Sequence, residues 1–287
     1  MKTSNSIKGI IFILLAALGF SLMTFFVRLS GDLPTMQKAF FRNSVALVVA
    51  TVAIIRSHEK FVIGKGNRFD IFMRSLFGTI GLISNFYAVD RLGIADANML
   101  NKLSPFFAIL LSMIILKEIP NRFDIITTII AFIGALFIIR PTGSFTAVFP
   151  ALVGLLGGFG AGTAYVFVRK LGKKGVKTPI IVFCFSLFSS LVTLPYLILD
   201  YTPMSLKQCL CLLMAGAAAS LGQFSITLAY KHAPAKEISV FDYTQVIFAA
   251  LLGIIFLREI PEALSIVGYV IIICVAIIRW NRNRKID

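Results

Sequence analysis

The chain has 287 residues, is 58% hydrophobic with a mean hydropathy of +0.90, and carries a net charge of +15. So little polar surface excludes a soluble globule, and the longest polar connection, Arg56 to Asp70, is too short to hold an extramembrane enzyme module. The positive charge gathers in loops rather than in a patch that would bind nucleic acid.

Apolar segments near the roughly 20 residues needed to cross hydrocarbon follow in order at 9–28, 36–55, 70–90, 94–116, 123–140, 148–168, 178–199, 208–230, 235–257 and 263–280. They predict an all-α integral membrane protein of ten transmembrane helices. The first run is too long for a signal-peptide core, which has about 7–15 apolar residues. With the N-terminus inside, 19 Lys and Arg fall in inner loops, 6 in outer loops and 3 within spans. Lys and Arg favour the cytoplasmic side, so both termini are expected there, in a cell membrane of the bacterial inner-membrane kind. Cys184, Cys209, Cys211 and Cys274 lie in or beside spans, without the second pair or nearby histidine of a metal site. His58 and His232 fall in loops, so no histidine relay crosses the membrane. Neither a metal nor a cofactor is expected.

Ile114–Pro120 reads IILKEIP and Ile255–Pro261 reads IFLREIP, 141 residues later. The same offset pairs Phe26-Val27-Arg28 with Phe167-Val168-Arg169, and Gly81 with Gly222. The chain is therefore expected to be two copies of one unit, 1–141 and 142–287, with five spans each. An odd number of spans makes the second copy enter from the opposite side. Such inverted five-helix repeats are a hallmark of secondary transporters.

A charge inside hydrocarbon costs at least about 2.5–3.5 kcal/mol, so each one needs a partner or a wet cavity. Span 1 has no carboxylate between Gly9 and Val27; span 2 carries Arg42, span 3 Arg74, span 4 Lys102 and span 9 Asp242. At about 1.5 Å per residue, Asp242 and Arg74 sit about 6 and 9 Å to the inner side, and Arg42 and Lys102 about 7 and 4–5 Å to the outer side. Depth favours an Asp242–Arg74 pair over Asp242–Lys102, although Arg74 also reads as a side chain snorkelling to the cytoplasm. Asp90 and Asp96, at the rim, are the other acids that could serve Lys102 or Arg42. Three cations against one anion leave excess positive charge, which points to a substrate carboxylate met by Lys102 or Arg42. Asp242 is the best candidate for coupling to protons, since a carboxylate poised between burial and a cation can change protonation as the site fills.

Neutral polar residues gather on the same spans: Asn85 and Tyr87 on span 3, Asn98, Asn101 and Ser104 on span 4, Gln223, Ser225 and Thr227 on span 8, and Ser239, Tyr243, Thr244 and Gln245 on span 9. Asn85, Asn101, Gln223 and Gln245 are the preferred substrate contacts as a group. The offset pairs Asn101 with Asp242 and Lys102 with Tyr243. Span 6 holds Gly154, Gly157, Gly158, Gly160 and Gly162, whereas span 1 has only Gly19 in the matching stretch. Span 6 is accordingly the expected moving element, with Tyr165 and Phe167 reading equally as a gate or as interface anchors.

The passage SPFFAILLSMIILKEIPNRFDIITTIIAFIGALFIIRP (Ser104–Pro141) resembles the end of an EamA repeat of the drug/metabolite transporter superfamily. The second copy, from VIFAALLGIIFLREIP (Val246–Pro261), fits less closely because Val246 stands where Pro105 does in the first. AFFRNSVA (Ala39–Ala46) is similar to that family's arginine-bearing second span. The resemblance covers essentially the whole chain and implies an inverted-repeat EamA fold with a central cavity lined mainly by spans 1, 3, 4, 6, 8 and 9. Glu118 and Glu259, in the repeated motif, read as gates or, preferably, as caps of the following helix, where a carboxylate and a proline both suit an N-terminus.

The expected function is secondary active transport of a small polar metabolite, an amino acid or related zwitterion or anion, by alternating access with protons as the coupling ion. Export is implied by the resemblance alone. The expected partners are the substrate and the lipid bilayer, and the expected state is a monomer or weak homodimer. An alternative is transport of organic cations such as choline, held by an aromatic cage from Phe20, Phe86, Tyr87 and Tyr243. A membrane enzyme would need paired acids, a histidine cluster or an active-site loop, and the sequence offers none.

Overall fold

The computed structural model describes residues 2–57, 61–92, 100–139, 148–257 and 263–285, and its helices fall in the ten predicted segments. They are α1 (Lys2–Leu29), α2 (Thr35–Arg56), α3 (Arg68–Leu92), α4 (Ser104–Leu116), α5 (Arg122–Ile139) and α6 (Val148–Lys173). Then come α7 (Thr178–Leu199), α8 (Leu206–His232), α9 (Ala235–Ile238), α10 (Thr244–Leu257) and α11 (Ala263–Lys285). His58, Asp96, Asn98, Arg258 and Glu259 lie outside the described residues, as does the side chain of Asp90. Among the described residues, six helices are long and apolar enough to cross a membrane by length and composition.

The polarity is that of a protein whose solvent is lipid. Ile125, Ile129 and Ile133 of α5 and Ile266, Val270 and Ile277 of α11 are exposed, while Arg42, Arg74, Lys102 and Asp242 are buried. Without a hydrophobic drive between helices, association relies on close packing and polar contacts. The packing runs chiefly between the two repeats: α1 lies along α8, α3 along α6, α2 against α7, and α5 against α11. The first two interfaces are related by the 141-residue offset, and each is a close backbone approach at glycine. A Cβ on Gly19 would sit 2.6 Å from the nitrogen of Gly222, and one on Gly160 would sit 2.8 Å from the nitrogen of Gly81.

Two expectations change here. Spans 4 and 9 are broken rather than continuous: span 4 turns at Lys102–Leu103 before α4, and span 9 passes through a 3-10 segment, Ser239–Tyr243, between α9 and α10. Glu118 does not cap the next helix. That cap is made by Asn121 and Asp124, each accepting the other's backbone N–H at 2.9 and 2.8 Å. Glu118 instead bridges Arg169 at 3.1 Å and Lys173 at 2.6 Å, at the end of α6.

That ion pair is one of several tying one end of the bundle, where the first turns of α1 lie against His232 and Ala233. Asp70 pairs with Lys170 at 2.8 Å and Lys174 at 2.6 Å, and Asp124 pairs with Arg279. Arg169 also donates to the Lys231 carbonyl at 2.9 Å, and Lys236 to the Ile119 carbonyl at 2.8 Å. Toward the opposite end, Gln37 exchanges two hydrogen bonds with the Thr202 backbone at 2.9 and 3.0 Å.

Candidate functional site

The two breaks meet. Pro105 sits in the first turn of α4 and has no N–H to donate, so a regular helix cannot run through Lys102–Leu103. The N–H of Phe106 then bonds the carbonyl of Leu103 at 3.0 Å, three residues back, and the Lys102 carbonyl loses its helical donor. Tyr243, from the 3-10 segment of span 9, supplies a replacement: its hydroxyl donates to the Lys102 carbonyl at 3.1 Å. The Lys102 ammonium crosses in the other direction and donates to the Asp242 carboxylate at 3.2 Å, the Asp242 carbonyl at 3.3 Å and the Gln245 side-chain oxygen at 2.7 Å. Ser21 of α1 donates to the Gln245 carbonyl at 2.8 Å. Lys102 and Tyr243 are mates under the repeat offset, so each break is completed by side chains of the other. Removing the Tyr243 hydroxyl in Tyr243→Phe should strand a buried carbonyl and cost about 1–3 kcal/mol, read as a lowered melting temperature. An unchanged melting temperature would show that the carbonyl is served otherwise.

Asp242 therefore pairs with Lys102, not with Arg74 as depth predicted. Their side chains are 8% and 9% exposed. The depth estimate assumed continuous α-helices, whereas a 3-10 turn rises about 2.0 Å per residue and the break re-aims the side chains on both spans. Arg74 does not snorkel either. It is 2% exposed, with its guanidinium 4.3 Å from the ring centre of Phe185 and its Nε without a partner. Arg42 is buried too and donates to the Met23 sulfur and the Asn43 side-chain oxygen, both at 3.0 Å.

The other predicted contacts are distributed around this centre. Asn101 is half-buried at the break itself. The side-chain oxygen of Asn85 and the side-chain nitrogen of Gln223 are buried without hydrogen-bond partners. Tyr87 packs instead on Phe149, 6.2 Å between ring centres, with Arg91 over its face. Tyr243 faces Phe132, and among the described residues no two of Phe20, Phe86, Tyr87 and Tyr243 pack ring to ring. Tyr165 stacks on Tyr230 at 4.8 Å and lies within electrostatic range of Asp242, Arg74 and Arg42. Phe167 is buried, with the Lys170 ammonium 5.7 Å from its ring centre.

Two contributors were not singled out from sequence. Ser21 carries no signal, since a lone serine in a span usually bonds its own helix, as Ser21 also does to Ala17. Gly158 lies against the break in span 4, and a Cβ there would sit 2.6 Å from the Leu100 carbonyl oxygen. Its place within a glycine-rich stretch was visible, but its partner was not.

Comparison with known proteins places this architecture. The pseudopaline exporter CntI of Pseudomonas aeruginosa is 32% identical over 280 residues, 97% of each chain. An uncharacterized transporter of Helicobacter pylori is 26% identical over 93% of this chain and 92% of that protein. Human solute carrier family 35 member G1 is 25% identical over 96% of this chain and 81% of its own length. A solved crystal structure superposes with a TM-score of 0.81 over 96% of this chain and 98% of the other at 16% identity, which shows a shared fold. The EamA-like transporter family profile matches twice, over residues 7–140 and 148–279. The chain belongs to the EamA-like transporter family and is a multi-pass membrane protein.

Proposed function

We propose that this protein exports a small polar metabolite, an amino acid or a related zwitterion or anion, by proton-coupled alternating access. The observation that carries the reading is the crossed Lys102–Asp242 and Tyr243–Lys102 contact between two broken spans. Discontinuous spans supply substrate and ion sites in many secondary transporters, because their free backbone ends can be turned toward a ligand. Protonating Asp242 removes the charge that holds Lys102 and releases both breaks together. A proton and a substrate can thus act on one joint. The two repeats are inverted in this reading, with both termini in the cytoplasm. The ion-paired end is then the cytoplasmic one, closed by Glu118, Asp70 and Asp124 with their cations. Export is supported by the similarity to an exporter of a small metabolite along nearly the whole chain.

Proteoliposomes loaded with labelled amino acids test this directly. Release should speed up severalfold when the outside is made more acidic than the lumen, because inward proton movement then drives efflux. Release indifferent to that gradient removes proton coupling. Release of choline with retention of every amino acid replaces the substrate reading with the organic-cation one.

A further inference from the structure

We infer that the seam between α3 and α7, at the ion-paired end of the bundle, binds an anionic phospholipid, with its phosphodiester in a basic cavity and its acyl chains along the aromatic face beyond. The inference goes beyond the transport reading and needs only a multi-pass membrane protein, whatever the cargo and the coupling ion.

Two cavities of about 500 and 370 Å³ lie there and share Val62 as a wall, each within the size range of small-molecule sites. Arg68 lines the larger. Asn67, Lys174 and Lys177 line the smaller, beside the apolar side chains of Val176 and Ile180. The Lys174 ammonium is held in place by the Gly66 carbonyl at 3.1 Å and the Asp70 carboxylate at 2.6 Å, and Lys170 takes the other Asp70 oxygen at 2.8 Å. Residues 56–70 and 169–177 hold nine Lys and Arg against two acids, Glu59 and Asp70. Glu118, which reaches Arg169 and Lys173, is a third. This rim keeps a surplus of positive charge even with all three acids paired within it. Topology accounts for basic loops at one end of a bundle, but not for cations lining cavities beside a lipid-facing seam. Basic pockets between spans suit anionic headgroups, and Lys and Arg make charge-assisted hydrogen bonds to phosphate.

Farther along, the seam turns apolar. Phe61 packs on Phe183 at 5.5 Å between ring centres, and Phe72 of α3 on Phe188 of α7 at 6.1 Å, both edge to face. Phe61, Val62, Phe69 and Phe72 are exposed. From Ile180 at the cavity to Phe188 is about 12 Å along α7, at about 1.5 Å per residue. A cationic head and an exposed aromatic track match one amphiphile, whereas a soluble phosphate would use only the first.

Dioleoyl phosphatidylglycerol is the probe, added to purified full-length protein in nonionic detergent, with dioleoyl phosphatidylcholine at the same mole ratio as reference. Phosphatidylglycerol should raise the melting temperature by several degrees over phosphatidylcholine, and free glycerol phosphate should not. The double variant Arg68→Gln with Lys177→Gln, both exposed positions, should lose most of that difference while melting like the parent in phosphatidylcholine. Val62→Glu, which puts a carboxylate on the wall common to both cavities, should lose it too, so a folding defect in the double variant still leaves a decisive reading. Lys8→Gln with Arg122→Gln removes the same charge from exposed positions elsewhere and should keep the full difference. The proposal is overturned if phosphatidylglycerol does no better than phosphatidylcholine, if glycerol phosphate matches it, or if either site variant keeps the full response. It is equally overturned if the Lys8 and Arg122 variant loses the response, which would make the effect one of net charge. No substrate or gradient is present, so these outcomes leave the transport reading untouched.

Discussion

Asp242→Asn should abolish proton-driven release from proteoliposomes and lower the melting temperature sharply. The substitution leaves the Lys102 ammonium, buried and anchored between two broken spans, without its counter-charge. Removing one partner of a buried pair costs about 3–5 kcal/mol, whereas replacing both by neutral groups is often neutral or stabilising. Lys102→Met should therefore destabilise by a similar amount, and the double variant Lys102→Met with Asp242→Asn should regain much of the lost stability. Transport should stay absent in all three, since none retains both the Asp242 carboxylate that takes up the proton and the Lys102 ammonium that it holds. Melting curves and pH-gradient flux measured side by side separate these effects. A fully stable Asp242→Asn protein, or one whose flux still follows the pH gradient, would remove the pair from the mechanism.

Side chains added at the glycine crossings should prevent folding altogether. Gly160→Leu drives a Cβ to 2.8 Å from both the Gly81 nitrogen and the Phe77 carbonyl oxygen. These are backbone atoms of a neighbouring span and cannot rotate away. Overpacking by a few methylenes costs about 1–3 kcal/mol where side chains can adjust, and a backbone clash should exceed that. Gly19→Leu meets the backbone of Gly222 at the offset-related crossing and should do the same. Gly66→Leu, with open space around the glycine, should express and elute like the parent. The readout is the monodisperse fraction on size exclusion. A well-folded Gly160→Leu protein would mean that the α3–α6 crossing yields easily.

These two predictions rest on features of very different legibility. The glycines on spans 1, 3, 6 and 8 stand out in sequence, and the offset relates Gly19 to Gly160 and Gly81 to Gly222. Which glycine touches which cannot be read from that, because the contacts cross between repeats. Pro105 gives a local cause for the break in span 4, which was nevertheless read as continuous, while Val246 occupies its mate's position and span 9 breaks without a proline. Side chains donate to its carbonyls there, Lys102 to Asp242, Ser21 to Gln245 and Thr244 to Phe241, two of the three donors coming from other spans. Glu118 looked like a cap because a carboxylate before a proline suits a helix start. Its ion pair with Arg169 joins residues 51 positions apart and leaves no local trace.

Apart from the family, which rested on the resemblance of Ser104–Pro141 and Ala39–Ala46 to an EamA repeat, hydropathy, loop charge and the 141-residue offset were enough to identify a multi-pass protein of ten helical segments. Each is summed over a whole span or a whole repeat, so a few misread residues do not change it. The charge excess among Arg42, Arg74, Lys102 and Asp242 was equally plain. The assignment of partners was not: depth alone pointed to Arg74 for Asp242, and the folded chain brings Lys102 there instead. A pairing of this kind depends on where two broken helices turn and where long side chains meet, over a few ångströms, and composition and periodicity do not carry that information.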